Sequence, residues 1–284
     1  MSVIGLGTHQ FSGDWAKEFS DADVKVILDR AQELGINFLD TAECYGFHTV
    51  ESLIGNSIKD RRKDWIVATK FGHVYVEGKQ IDSWSAPQVQ LQLDESLRAL
   101  QTDHIDLYQF HSGVNEFFEN EKLWAMLNGQ VKAGKIRFLG LSLAADLVLK
   151  NDLKQLFAVS KLNISALQVV YNRLQSKAEE EVLPFCQAHQ LGVLARIPLA
   201  KGFLAGNYRP GAVFPKNDLR SAYSAEFNNR LLEQVEMIRR EELPPGQNMA
   251  QWALSWCLRN PAVSSVIVGC KDIVQLELNA ATEI

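Results

Sequence analysis

Gly35-Ile36-Asn37-Phe38-Leu39-Asp40-Thr41-Ala42-Glu43-Cys44-Tyr45-Gly46 is an apolar run that ends in an acid and turns into a loop carrying a phenol. Gly35 reads as a helix stop, because glycine adopts the left-handed geometry that ends helices. Ile36–Leu39 is long enough for a buried strand. Asp40 sits where that strand ends, and Thr41–Gly46 forms the loop that presents Tyr45. A carboxylate at a strand end and a phenol on the next loop are suited to proton chemistry.

Upstream, Ile4–Thr8 is a short strand, and Ser20 caps a helix over Asp21–Leu34 with Asp23 at its third position. Val24, Ile27, Leu28, Ala31 and Leu34 give that helix its apolar face. Downstream, a helix over Thr49–Lys59 leads to a strand over Trp65–Thr69, with Lys70 at its end. Ser85, with Pro87 in the first turn, opens a helix to Leu100. His104–Phe110 is a strand ending at His111. The rhythm continues with a helix over Glu119–Ala133, a strand over Ile136–Leu141 ending at Ser142, and a helix over Asp146–Val159. Strand Ala166–Val170, helix Glu179–His189 and strand Gly192–Arg196 follow. Lys201–Ser224 is polar, rich in Gly, Pro and Asn, and too long for an ordinary connection, so it reads as a functional loop or lid. Helices over Phe227–Glu241 and Asn248–Leu258, a strand over Ser265–Val268 and a helix over Asp272–Ala281 complete the chain.

Eight short apolar strands, each followed by a helix, suit a parallel sheet buried on both faces. A doubly wound open sheet and a closed barrel both satisfy that pattern. The dinucleotide fingerprint GxGxxG is absent: Gly5-Leu6-Gly7 continues as Thr8-His9-Gln10. Eight units without the fingerprint favour an α/β fold of the (β/α)8 TIM-barrel type. No linker-like shift divides the chain, so residues 1–284 read as a single domain.

Of the 284 residues, 46% are hydrophobic, enough for a large core. The net charge of -5, without a basic stripe, argues against nucleic acid or an anionic membrane surface as partner. No apolar run approaches the roughly 20 residues of a membrane span. The N-terminus lacks the pattern of a signal peptide. Four scattered cysteines without a CxxC pair fit a reduced, cytoplasmic protein, expected to be a monomer or small homo-oligomer. Cys44, beside Tyr45, reads as a loop cysteine in preference to a reactive thiol, since no base is paired with it. No His/Cys/acid cluster has metal-ligand spacing, so no metal is expected.

In a barrel of this kind chemistry gathers at the C-terminal strand ends. Asp40, Lys70, His111, Ser142 and Gln168 are polar residues at or near five successive strand ends. Asp40, Tyr45, Lys70 and His111 form a coherent catalytic set. An ammonium beside a tyrosine favours the phenolate and lowers a pKa of about 10. A carboxylate keeps the lysine charged and oriented. The tyrosine is then a general acid, and the histidine can orient a carbonyl oxygen.

These motifs resemble those of the aldo-keto reductase superfamily. D-T-A-x-x-Y-G appears as Asp40, Thr41, Ala42, Tyr45 and Gly46; T-K as Thr69 and Lys70; D-L-Y-Q-x-H as Asp106, Leu107, Tyr108, Gln109 and His111. The similarity runs from about Val3 to Ala281. It implies a (β/α)8 barrel that binds NADPH without a Rossmann domain and reduces an aldehyde or ketone to an alcohol. Tyr45 gives the proton, Lys70 tunes it, Asp40 holds Lys70, and His111 orients the carbonyl.

The resemblance also implies a cofactor set. Ser142 stands in G-x-S-N, where Leu143 replaces the asparagine. Gln168 stands in Q-x-x-Y-N, as the partner of the nicotinamide carboxamide. Tyr171, in the same motif, stacks on the nicotinamide if its ring faces the barrel mouth; packing is the other reading. Leu199, Lys201, Gly202 and Leu204 line the pyrophosphate, with Ile197 in place of a polar residue. Gly269 and Lys271 stand in I-P-G-x-[RK], with Val268 in place of proline. Lys271 is the implied 2'-phosphate partner, and Gln275 and Asn279 reach the adenine end. Phe11, Trp15, Phe47, His73, Phe117 and Phe118 suggest an apolar pocket mouth.

Two other readings compete: a Schiff-base aldolase or isomerase that uses Lys70 covalently, and a non-catalytic regulatory subunit, since the family includes such proteins.

Overall fold

The computed structural model describes residues 1–76 and 79–283; Ile284, the last residue of the expected domain, lies outside the described residues. Strands β1 (Ile4–Gly7), β2 (Phe38–Asp40) and β3 (Ile66–Phe71) start the barrel. A short antiparallel hairpin, β4 (His73–Val76) and β5 (Lys79–Asp82), stands outside it. Strands β6 (Ile105–His111), β7 (Ile136–Ser142), β8 (Ile164–Val170), β9 (Gly192–Arg196) and β10 (Ser265–Gly269) complete it. All barrel pairings are parallel, and β1 closes the ring by bonding to both β10 and β2.

The helices follow the sequence signals closely. Helix α1 (Asp21–Glu33) carries the expected capping box between Ser20 and Asp23. Gly35 stops it at φ +79°, a conformation costly for a side-chain-bearing residue. Helices α2 (Thr49–Ile58) and α3 (Ala86–Ala99) appear where expected. Between β6 and β7 the helix read from Glu119 is instead a short turn, α4 (Asn115–Phe118), and then α5 (Glu121–Lys132). Asn120 divides them by accepting the Leu123 N–H at 3.3 Å as an N-cap. Asn120→Ala is expected to lower stability by about 1 kcal/mol in chemical denaturation; an unchanged midpoint would contradict that role. The helix expected over Asp146–Val159 is split into α6 (Ala145–Leu149) and α7 (Lys154–Ala158), with Asn151 in a left-handed turn between them. Helices α8 (Val182–Ala188), α9 (Ala225–Glu241), α10 (Met249–Leu258) and α11 (Ile273–Ala280) finish the outer ring.

Two packing layers result from the period-two alternation of strand side chains. Outward residues such as Leu39, Val67, Tyr108, Leu141, Leu167 and Val193 join helix residues in the large core between barrel and helices. Inward residues Phe38, Ala68, Leu107, Leu194 and Ile267 form a small apolar plug inside the barrel. Each plug strand then offers the residue two positions on to the layer above: Asp40, Lys70, Gln109, Arg196 and Gly269. An apolar floor under a ring of polar strand ends is what positions the site.

Charge also anchors the opposite end. Asp106, 4% exposed, accepts from Arg62 at 2.6 Å, from Arg137 at 2.7 Å and from the Val67 N–H at 2.9 Å. The first residue of the D-L-Y-Q-x-H motif therefore ties strands together at the N-terminal end, away from the polar strand ends.

Candidate active site

Lys70 is fully buried at the end of β3. Its ammonium donates to Asp40 Oδ2 at 2.8 Å, to the Thr41 carbonyl at 2.7 Å and to the Tyr45 hydroxyl at 3.4 Å. Three donors thus have three acceptors. Asp40 in turn accepts at Oδ1 from Gln168 at 2.7 Å and from Gln109 at 3.2 Å, so both of its oxygens are held. Gln168 is fixed from behind by the Ser142 hydroxyl, which donates to its Oε1 at 3.3 Å. Three neighbouring strand ends and one across the barrel therefore determine where a single ammonium sits.

The electrostatics differ in one respect from the sequence expectation. Burial pushes the Tyr45 hydroxyl up to about 12, and the Lys70 charge, which pulls it down, is the smaller effect. The phenol is thus a firmly protonated acid rather than one lowered toward neutrality. Burial opposes the charge on Lys70 as well, but Asp40 and Tyr45 beside it outweigh that and raise it above the usual lysine range. Burial and the nearby Lys70 keep His111 well below the ordinary imidazole value, so it is neutral. Because Lys70 donates to the Tyr45 oxygen, the phenolic hydrogen is left to point elsewhere.

Asp40, Tyr45, His111 and Gln168 form the inner end of a cavity of about 500 Å³. Leu199, Lys201, Gly202, Gly269, Lys271, Gln275 and Asn279 line the same cavity further out. Lys271 donates from Nζ to the Trp15 carbonyl at 2.6 Å, and its N–H donates to Gln275 Oε1 at 3.0 Å. Lys201 and Gly202 both take positive φ, +56° and +88°, bending the chain around the cavity wall.

Three implied cofactor residues are not in the wall. Ser142 lies behind Gln168, fully buried. Leu204 is packed in the apolar cluster under α9 and α10. Tyr171 faces outward: its ring lies 5.1 Å from Trp256, and its hydroxyl donates to Glu179 at 2.5 Å. Strand alternation is the reason, because Gln168 points inward and a residue three positions on points out. Of the aromatic residues read as a pocket mouth, Trp15 lines the cavity. Phe11 and Phe118 are core, Phe117 stacks on Trp84, and His73 meets His111 instead. Phe47 is exposed, 44%, outside the wall.

Other wall residues were not singled out from sequence. The His9 ring packs against the Tyr45 ring, centroids 4.6 Å apart and tilted by 34°. Arg196 ends β9, two positions after the plug residue Leu194, and donates to the Leu143 carbonyl at 3.1 Å while its buried Nε has no partner. Arg220 is held by both oxygens of Asp218 and packs its guanidinium 4.3 Å from the Phe214 ring centre. The period-two spacing from the plug would have found Arg196; nothing local marks His9 or Arg220. The long stretch 201–224 is ordered against the loop after β1, since Trp15 and Asp218 form a β-bridge.

A sequence model of the Aldo/keto reductase family matches residues 3–283. The chain belongs to the aldo/keto reductase family. Among its members, an oxidoreductase of Bacillus subtilis named YqkF is 34% identical over 281 residues, covering 98% of this chain and 86% of that protein. The Schizosaccharomyces pombe aldo-keto reductase yakc [NADP(+)] is 31% identical over 284 residues, covering 96% and 80% respectively. Solved aldo/keto reductase structures agree in fold. The holo form of aldo-keto reductase AKR11C1 from Bacillus halodurans superposes with a TM-score of 0.80 at 28% identity, covering 99% of this chain and 86% of that one. The glycerol dehydrogenase AKR11B4 from Gluconobacter oxydans gives 0.81 at 26% identity, with the same coverage. The closed eight-strand barrel is the aldo/keto reductase architecture, and no helix among the described residues is long and apolar enough to cross a membrane.

Proposed function

We propose that the protein is a cytoplasmic NADPH-dependent carbonyl reductase that converts an aldehyde or ketone to an alcohol. The observation that carries this reading is the buried Lys70 ammonium, shared between the Asp40 carboxylate and the Tyr45 hydroxyl at the inner end of the cavity.

The cavity suits a nicotinamide dinucleotide. Its outer part gathers Lys201, Arg220 and Lys271, a cationic set for a polyanion. Its inner part has Gln168, an amide available to a carboxamide, and the partnerless Arg196 Nε, a buried donor that calls for an acceptor. Leu143 supplies no amide where the family has asparagine, and its carbonyl anchors Arg196 instead. NADPH, when bound, supplies the hydride. Tyr45 gives its proton to the oxygen that becomes the alcohol, and Lys70 stabilises the phenolate left behind. Neutral His111 donates to the same oxygen and positions it. Asp40, with Gln109 and Gln168 on its other oxygen, fixes the ammonium and acts through Tyr45.

The same geometry works against a Schiff-base role for Lys70. That chemistry needs a neutral, accessible amine; this one is fully buried, charged and saturated with acceptors.

A panel of aldehydes and ketones with NADPH and NADH, following loss of reduced nicotinamide absorbance and formation of alcohol, tests the proposal. Lys271→Ala is expected to weaken NADPH roughly 10–100-fold while changing NADH little, the scale of one charge-assisted contact. Equal loss with both cofactors would remove Lys271 from the 2'-phosphate.

A further inference from the structure

Local spacing shows no metal motif, yet the neighbouring ends of β2, β3 and β6 bring four metal-ligating residues together beside the catalytic phenol. Glu43 and Cys44 come from the loop after β2, His73 from the segment after β3, and His111 from the end of β6. One ligand atom from each lies within 4.8 Å of all the others. Cys44 Sγ is 3.7 Å from His111 Nδ1, and His73 Nδ1 is 3.3 Å from Glu43 Oε1. The His73 and His111 rings stand edge to face at 4.9 Å. Bonds of about 2.0–2.3 Å to a tetrahedral Zn²⁺ place neighbouring ligand atoms about 3.3–3.7 Å apart, so the two close pairs already match tetrahedron edges.

A second observation points the same way. Glu43 is 3% exposed, and its Oε2 has no hydrogen-bond partner. A buried carboxylate oxygen left unpaired is costly, and a cation would satisfy it. The outer support is present too: the far nitrogen of His73 lies 3.7 Å from Asp82 Oδ1, the kind of carboxylate that orients metal-bound imidazoles.

We infer that Glu43, Cys44, His73 and His111 form a site for a borderline-soft divalent cation of the Zn²⁺ class, and that its occupation stops carbonyl reduction. The ligand set of one thiolate, two imidazoles and one carboxylate selects such ions over Mg²⁺ or Ca²⁺. The ion replaces the proton on Cys44 Sγ, which leaves to solvent, and takes the imidazole lone pairs. Thiolate and carboxylate together neutralise its two charges. The opposing Lys70 ammonium is already compensated by Asp40. His111 lines the cavity, so the ion has an entry route, and an ion on Nδ1, the nitrogen that faces Cys44 Sγ, ties the His111 ring to the cluster instead of leaving it free to position a carbonyl oxygen.

The site stands on geometry alone; its inhibitory effect rests on the carbonyl-reductase reading. The test titrates Co²⁺, then Zn²⁺, into the metal-free full chain. One equivalent of Co²⁺ is expected to give a thiolate-to-cobalt charge-transfer band and intense tetrahedral visible bands, which Zn²⁺ abolishes. Cys44→Ser should lose the charge-transfer band. In Cys44→Ser and His73→Ala, reduction without metal should persist while Zn²⁺ inhibition weakens by at least the roughly 10–100-fold that even an outer-shell change costs. Wild-type chain that gives no cobalt bands overturns the site, whether or not either variant folds. Zn²⁺ that inhibits all three chains equally overturns the link to activity. Cobalt bands in a chain that reduces no carbonyl support the site and defeat the carbonyl-reductase reading instead.

Discussion

Tyr45→Phe is expected to lower kcat for carbonyl reduction by about 10²–10⁴-fold, the usual contribution of a positioned general acid, while NADPH binding is retained. The substitution removes one oxygen and leaves the ring. That ring packs against His9 and lies 5.0 Å from the Lys70 ammonium, so the fold loses little. The Lys70 bonds to Asp40 and to the Thr41 carbonyl remain. What disappears is the hydroxyl to which the buried ammonium donates. Cofactor affinity by fluorescence titration and kcat by product formation separate the two effects. A variant that still reduces at the parental rate would mean that the proton comes from elsewhere.

Lys70→Met carries the largest expected cost in stability. It leaves the Asp40 carboxylate, 4% exposed, without the ammonium on Oδ2 and with only two amides on Oδ1. Removing one partner of a buried ion pair typically costs about 3–5 kcal/mol, because the remaining charge is stranded. Reduction should fall with it, since Tyr45 then faces an uncompensated carboxylate. The double change Lys70→Met with Asp40→Leu is expected to recover a large part of the stability but none of the activity. Denaturation midpoints of the single and double variants, set beside their rates, check both halves. Loss of activity without loss of stability in the single variant would show that Asp40 does not depend on Lys70.

Much of this site was readable because its residues end short apolar runs. Asp40, Lys70 and His111 are the final or near-final residues of β2, β3 and β6, and each strand runs one or two residues further than the apolar pattern suggested. The motifs around them are mixed in purpose. Lys70 points into the barrel, while Thr69 points out and donates to the buried Glu51 at 2.5 Å. Gln109 supports Asp40, whereas Asp106 in the same motif braces the far end of the barrel. A contiguous motif therefore encodes both a site and its scaffold, and the alternation of the strand separates them.

What the sequence hid depends on closure or on loops. The β4–β5 hairpin falls in a stretch without strong alternation, and Gly72 before it takes φ +130° with Trp84 stacked over it. Tyr171 was placed by its motif but turned outward by its register. The loop carrying Glu43 and Cys44 meets His73 and His111 because parallel strands set their ends side by side, a proximity that no linear spacing expresses. The phenol's acidity was misjudged for a related reason. The ammonium was visible in sequence, but the burial that overrides it was not.

In the proposed carbonyl reductase, one buried ammonium equips one phenol to protonate a carbonyl. The most direct measurement mixes the wild-type chain with NADPH and the best carbonyl of the panel, and then treats a parallel sample with borohydride. The expected result is one alcohol formed per NADPH consumed, with no substrate trapped on Lys70. Substrate mass covalently retained on Lys70, with NADPH untouched, would contradict it.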